Sequence, residues 1–336
     1  MLRTVTFTLL ALVAFASNSL LTRSALGTGA IDAATFTAIR LLAGAAMLVA
    51  IVRIRDGGWT ALRGGGAAAG GGSAASHRDG RGARRTRREE GEYREYSTDE
   101  QRRAPGCIAR RMQRDFRHRL LGPATLFAYA VPFSLAYVRI GAAVGALVLF
   151  GVVQLTMVGY GLATGERPSL RTWAGLALAT GGLVLLTAPA ATRTEHPDGV
   201  GVALMAIAGA AWAVYTLAGR SSLEPVAGNA RNFLWSSPLA LLVVLVTPGQ
   251  ITASTRGVLL ALVSGGVTSG LGYVLWYRAL PRLSVTQAAI AQVGVPIIAA
   301  AGGVAVLGEP LTVRLVLAGA AVLGGIGLLV SRRLRR

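Results

Sequence analysis

The sequence contains no lysine; all 34 of its basic residues are arginine. It has one cysteine, Cys107, so no disulfide can form within the chain. Its three histidines, His77, His118 and His196, fall in separate segments that read as loops, which leaves no histidine cluster to hold a metal ion. Acidic residues number only 15, and no pair of aspartates sits inside an apolar run. There is no HExxH zinc helix, no GxSxG nucleophile elbow and no phosphate-binding loop pattern. These absences disfavour an enzyme. No catalytic residue, cofactor or metal is expected.

What the chain has in abundance is apolar surface. It is 53% hydrophobic with 44 glycines, and its mean hydropathy is +0.54. That is too apolar for an ordinary soluble domain, and the glycines suit close-packed membrane helices. In a soluble protein the net charge of +19 would suggest nucleic acid. In a membrane protein it reads as basic loops held on the cytoplasmic side, with the lipid bilayer as partner and no nucleic acid. Ten apolar runs occur, at about 4–26, 33–53, 122–140, 142–164, 171–189, 199–219, 231–247, 256–277, 284–307 and 311–331. Each approaches the ~20 residues that a helix needs to cross a bilayer core. Arg3, the first run and Ala14-Phe15-Ala16 could form a cleavable leader. The run resembles the clearly internal stretch Met205–Ser221, so it is read as a span.

The runs repeat. Gly165-Glu166-Arg167-Pro168 matches Gly308-Glu309-Pro310 at an offset of 143, and Gly181-Gly182 matches Gly324-Gly325 at the same offset. The expected fold is therefore all-α and integral to the membrane, with ten transmembrane helices as two five-helix repeats, 1–190 and 199–331, and a basic tail at 332–336. Five is odd, so the two copies insert in opposite senses and form an inverted repeat. Residues 56–120 break the pattern with 15 arginines, 9 acids and a glycine-alanine tract. Such a composition cannot bury a core and is expected to be a disordered insertion. Asn18 aligns with Trp212 at an offset of 194, which is 51 more than the later offset, and the insertion accounts for the excess.

Arginine counts orient the chain. With both termini inside, the inner loops hold the 56–120 arm, Arg167 with Arg171, Arg220 with Arg231, and Arg278 with Arg282. The outer loops hold single arginines: Arg23, Arg139, Arg193, Arg256 and Arg314. The positive-inside rule then places both termini in the cytoplasm of a cell (inner) membrane protein.

Arg40 is the one charge placed deep in a span. A central arginine costs ~2.5–3.5 kcal/mol on insertion scales, so it faces a cavity or a partner. It reads either as an anchor for a carboxylate or phosphate, or as a structural arginine on helix carbonyls. Asn18 in the first run lies level with Trp212 and Tyr215 in the sixth. Gln154 and Pro296 occupy matching places in the fourth and ninth runs, and Gln287 and Gln292 add amides near Pro296. A proline inside a span frees a carbonyl, which makes Pro296 the candidate hinge of a lined pathway. Glu166 and Glu309 precede prolines at the starts of the fifth and tenth runs, where a carboxylate favours the helix N-terminus. Capping is preferred there to proton coupling. Spacings such as Gly141/Gly145 and Ala320/Gly324 are read as packing, and they leave room for a homodimer.

The two GE(R)P turns with their glycine-rich helices, the Arg40-Leu41-Leu42-Ala43-Gly44 run and the five-plus-five repeat resemble the drug/metabolite transporter superfamily, EamA type. The resemblance covers nearly all of the chain except 56–120. It implies ten helices, inverted halves, alternating access, and export or uptake of small metabolites such as amino acids. It also implies a central cavity lined by helices 1–4 and 6–9. Arg40, Asn18, Gln154, Trp212, Tyr215, Tyr273 and Gln292 would reach that cavity. An alternative reading is a non-transporting membrane sensor or scaffold whose basic arm recruits a partner or anionic lipid.

Overall fold

The structure is a computed structural model, and it describes residues 2–56, 105–165, 169–187, 198–220, 224–247, 249, 251–283, 291–292 and 294–330. Its elements are helices: α1 (Leu2–Leu26), α2 (Ala33–Asp56), α3 (Pro105–Arg139), α4 (Ala142–Ala163), α5 (Leu170–Thr187), α6 (Gly199–Arg220) and α7 (Pro225–Val246). Helix α8 starts as Thr255–Val263, passes through a π-helical turn at Ser264–Leu271 and continues as Gly272–Ala279. It is followed by α9 (Gly294–Leu307) and α10 (Val313–Val330). Seven of the described segments are long and apolar enough to cross a membrane: Thr4–Leu26, Ala33–Arg55, Leu120–Arg139, Ala142–Ala163, Gly199–Gly219, Pro225–Val246 and Thr255–Arg282. Helix α9 is a shorter apolar helix.

Helix limits follow from local chemistry. Asp32 caps α2, accepting the Thr35 N–H at 2.8 Å. Asp198 caps α6 through Gly201 N–H at 2.9 Å, Ser254 caps α8 through Gly257 N–H at 3.1 Å, and Thr312 caps α10 through Leu315 N–H at 3.1 Å. These bonds satisfy donors that a helix start leaves orphaned. Pro225 occupies the first turn of α7, which suits a residue with fixed φ and no N–H. Helix α7 therefore begins six residues before the expected 231, and Arg231 lies in the helix instead of in a loop. Helix α3 likewise begins at Pro105, inside the stretch expected to lack structure. Residues 108–121 hold arginine, methionine, glutamine and leucine without glycine or proline, so the helix can extend from the span into the arm. Residues 57–104, Glu166 and Gln287 lie outside the described residues.

Neighbouring ends of the bundle are tied by loop contacts. Ile31 pairs with Ala253 in a single antiparallel bridge, and Asp32 N–H donates to the Thr252 carbonyl at 2.9 Å. Arg139 meets Asp198 at 2.9 Å, and Arg314 Nε donates to the Leu185 carbonyl at 2.6 Å. Arg256 reaches Ser24 Oγ at 3.3 Å. These contacts join loops that the arginine count assigns to a single side.

Helix α3 packs on α6, α2 on α7 and α8, α1 on α8 and α9, α4 on α6 and α9, and α5 on α10. Lipid cannot drive these helices together by apolar burial, so close backbone approach matters. Gly265 in the π turn shows it: a Cβ there would collide with the Arg40 carbonyl. The glycine lets α8 cross directly against the turn of α2 that carries Arg40.

Candidate functional site

Arg40 is 2% exposed at the centre of the bundle. Its Nε donates to Ser269 Oγ on the π turn at 3.3 Å, and its Nη2 donates to Tyr129 Oη on α3 at 2.9 Å. The guanidinium carbon lies 5.2 Å from the Tyr129 ring centroid and 4.8 Å from that of Phe133. Among the described contacts hydroxyls and ring faces hold the arginine, whereas the structural reading called for helix carbonyls. Two charge-assisted bonds at ~1.5–3 kcal/mol each match an insertion cost of ~2.5–3.5 kcal/mol. The charge is therefore tolerable without a ligand. One group is left over: Nη1 is buried and has no partner among the described residues.

Asn18, Trp212 and Tyr273 share a cavity with Arg40. Asn18 Oδ1 accepts from Ser264 Oγ at 2.7 Å and from Thr268 Oγ1 at 3.2 Å, tying α1 to the π turn. Trp212 Nε1 donates to Tyr273 Oη at 2.7 Å. Phe15 and Phe150 stand edge-on to the Trp212 ring, each with centroids 5.3 Å away. The enclosed space is small, about 10 Å³, no more than the room of one water. The transport reading expects Arg40 in the wall of an aqueous cavity; the wall is present, and this conformation is closed around it.

The remaining expected site residues lie outside that wall. Tyr215 stands one ring away, with its centroid 5.7 Å from that of Tyr273, and its hydroxyl donates to Asn229 Oδ1. Gln154 is buried in α4 but does not line the cavity. Gln292 is buried and its Nε2 approaches Met157 Sδ at 3.9 Å, which places it at the α4–α9 contact. Pro296 sits in the first turn of α9, where a missing N–H interrupts no helical bond. It lines a separate apolar groove between α4, α9 and α10, not the Arg40 cavity.

Sequence reasoning missed Tyr129, Phe133, Phe15, Phe150, Thr268 and Ser269. Tyr129, Phe133 and Tyr137 recur every four residues on α3, which is the spacing of one helical face, and that stripe was a usable signal. Ser264, Thr268 and Ser269 lie in a glycine-rich run whose π turn has no sequence signature.

Glu309 also differs from expectation. Its Oε1 accepts the Ala142 N–H at 2.6 Å and its Oε2 the Ala143 N–H at 3.1 Å. It thus caps α4, whose own N-cap residue, Gly141, has no side chain to offer. Its own helix, α10, is capped by Thr312. Arg23 lies 3.9 Å from the same carboxylate, and its Nη1 donates to the Tyr137 carbonyl at 2.9 Å.

Comparisons with known proteins bear on this architecture. The family model of the EamA-like transporter family matches residues 199–331. An uncharacterized protein of Pseudomonas aeruginosa is 40% identical over 334 residues, covering 99% of this chain and 96% of its own length. An uncharacterized transporter of Archaeoglobus fulgidus is 25% identical over 217 residues, 63% of this chain and 76% of its own. One crystal structure of a protein aligns with a TM-score of 0.60 at 18% identity, covering 96% of this chain and 98% of the other. That likeness is one of fold.

Proposed function

We propose that this chain, whose residues 199–331 match the EamA-like transporter family, is a multi-pass secondary transporter of small polar metabolites, of which amino acids are an example. Two inverted five-helix halves, 1–190 and 199–331, work by alternating access around a site near the middle of the membrane.

The observation that carries this reading is Arg40 Nη1, a buried cationic donor on a cavity-lining residue, with no partner among the described residues. A carboxylate is the group that would complete it. Helix packing supports the inverted halves. Under an exchange of each helix with the one five places later, the α1–α8 contact becomes α6–α3, and the α4–α6 contact becomes α9–α1. All four contacts occur. Helices α2 and α7, α4 and α9, and α5 and α10 pack on their own counterparts, as elements beside a two-fold axis can. The arginine asymmetry supports a cell-membrane protein with both termini in the cytoplasm. The ties Arg139–Asp198, Arg314–Leu185 and Arg256–Ser24 agree with it in joining helix ends that the count assigns to one side.

One observation favours the second reading, a membrane sensor or scaffold that does not transport. The cavity has almost no free volume, as a permanently closed bundle would have. Against it stands the spare Arg40 donor, which a purely structural core has no reason to keep. The test is a substrate screen in proteoliposomes with amino acids, amines and organic acids, comparing wild type with Arg40→Ala. Uptake by wild type and its near-complete loss in correctly folded Arg40→Ala is the expected result. Equal rates per folded protein would make Arg40 structural.

A further inference from the structure

We propose that the Arg40 cavity selects a monoanion with a flat apolar body, an aromatic carboxylate in chemical class, over the zwitterion or the amine of the same skeleton. The proposal rests on the transporter reading and narrows it.

The argument is a count of donors and acceptors. Two of the three guanidinium nitrogens of Arg40 are engaged, and Nη1 is not. Tyr129 Oη accepts from Arg40, which has only donors, so that bond leaves the phenolic proton unused. Tyr273 Oη accepts from the indole N–H of Trp212, again a pure donor, and its proton is unused in the same way. Asn18 spends its carbonyl oxygen on Ser264 and Thr268, which leaves its amide N–H group. The donors the wall can still offer are the Nη1 NH₂ of the guanidinium, two phenol O–H groups and an amide N–H. The acceptors that remain are neutral hydroxyl oxygens, such as those of Ser19 and Ser269. No aspartate or glutamate lies among the described lining residues.

A carboxylate has only acceptors and would satisfy such a set. An ammonium has only donors. It would find neutral hydroxyl oxygens but no carboxylate among the described lining residues, and it would lie in the same closed space as the Arg40 charge. The ring faces that could hold a cation are already occupied where they are nearest, because Arg40 lies over Tyr129 and Phe133. The rest of the wall is aromatic edge and face from Phe15, Phe150, Trp212 and Tyr273, with Trp212 at its centre. Such a wall suits a flat apolar group and offers little to a short aliphatic acid.

The test uses full-length protein and four probes: 3-phenylpropionate, phenylalanine, phenethylamine and propionate. Binding is read as thermal stabilisation in detergent and transport as counterflow in proteoliposomes. The expected result is stabilisation by 3-phenylpropionate at concentrations about tenfold lower than by phenylalanine or propionate, since an unpaired buried ammonium or an unfilled aromatic wall each costs at least ~1.4 kcal/mol. Phenethylamine should give none. Arg40→Gln should lose the response. Tyr129→Phe keeps the ring but removes one O–H and one acceptor of Arg40, and in the folded fraction it should weaken the response several-fold. Stabilisation by phenylalanine or phenethylamine equal to that by 3-phenylpropionate overturns the inference, as does no stabilisation by any probe. If 3-phenylpropionate binds but never counterflows, this selectivity stands and the transporter reading falls. If phenylalanine counterflows while 3-phenylpropionate neither binds nor moves, the transporter reading stands and this selectivity falls.

Discussion

The Glu309 carboxylate accepts the Ala142 backbone N–H at 2.6 Å, so a residue between α9 and α10 caps a helix 167 positions earlier in the chain. With Ala143 N–H and the Arg23 guanidinium on the same group, one loop and two helix ends meet on one side chain. Glu309→Ala removes the cap and leaves Arg23 without its anion. A lost cap costs about 1 kcal/mol, so the thermal midpoint of the purified protein should fall. Glu309→Gln keeps one acceptor and should lose less. An unchanged midpoint in Glu309→Ala would mean that water replaces the carboxylate at no cost.

Arg40→Lys should insert and fold yet lose most transport. A lysine ammonium cannot span Ser269, Tyr129 and a bound carboxylate from one plane, and it does not stack flat on Tyr129 and Phe133. Loss of one charge-assisted contact, ~1.5–3 kcal/mol, corresponds to roughly a tenfold or greater drop in rate per folded protein. A Lys variant at wild-type rate would show that charge alone suffices.

Gly265→Ala should be the most damaging of the small substitutions. Its Cβ meets the Arg40 carbonyl, which is backbone and cannot rotate away. Overpacking of this kind costs ~1–3 kcal/mol. Gly159→Ala, where nothing stands within 4 Å, is the matched control and should be neutral or slightly stabilising. The yield of monodisperse protein and the thermal midpoint of the two variants decide the matter.

Asp198 lies outside the spans, and its carboxyl is held below its ordinary value of 3.8, first by the Gly201 N–H and next by the Arg139 guanidinium. A group lowered in the folded state adds stability above its ordinary value and loses it as the pH falls through the lowered one. Asp198→Asn should be less stable than wild type at neutral pH, and the gap should close below pH 3.8. Thermal unfolding of both proteins in a pH series checks this. A gap that stays constant into acid would assign the effect to packing.

Cys107 is the only thiol of the chain, and it reports the side of the arm. A membrane-impermeant thiol reagent should label it only after permeabilisation. Labelling of intact cells would reverse the orientation that the arginine asymmetry assigns.

The parts of the fold that hydropathy controls were legible. Runs of apolar residues mark where helices lie, and a charge inside such a run, Arg40, marks the centre of the site. Asn18, Trp212 and Tyr273 were legible because polar or amphipathic groups at that depth need partners. The partners themselves were not. Tyr129 and Ser269 reach Arg40 from helices 89 and 229 positions away, and no local pattern encodes such a meeting. Gln154 and Gln292 are expected on the pathway through the family resemblance and matching depth, and Pro296 through its freed carbonyl, none of which says which way a helix face turns. Glu309 was assigned to its own helix because a single sequence shows only neighbours along the chain. The start of α3 at Pro105 was hidden because the same arginines that argue against a core are good helix formers.

The π turn at Ser264–Leu271 fixes the phase of everything after it. An α-helix advances about 100° per residue, and a π turn accommodates one residue more than the α-helical register. The same residues wound as a regular α-helix would swing Tyr273, Trp276 and Tyr277 by about 100° relative to Ser264. The span would remain long and apolar enough to insert, with its composition unchanged. Two windings of that one segment would share hydropathy, length and helix order, yet present different walls to the same guanidinium.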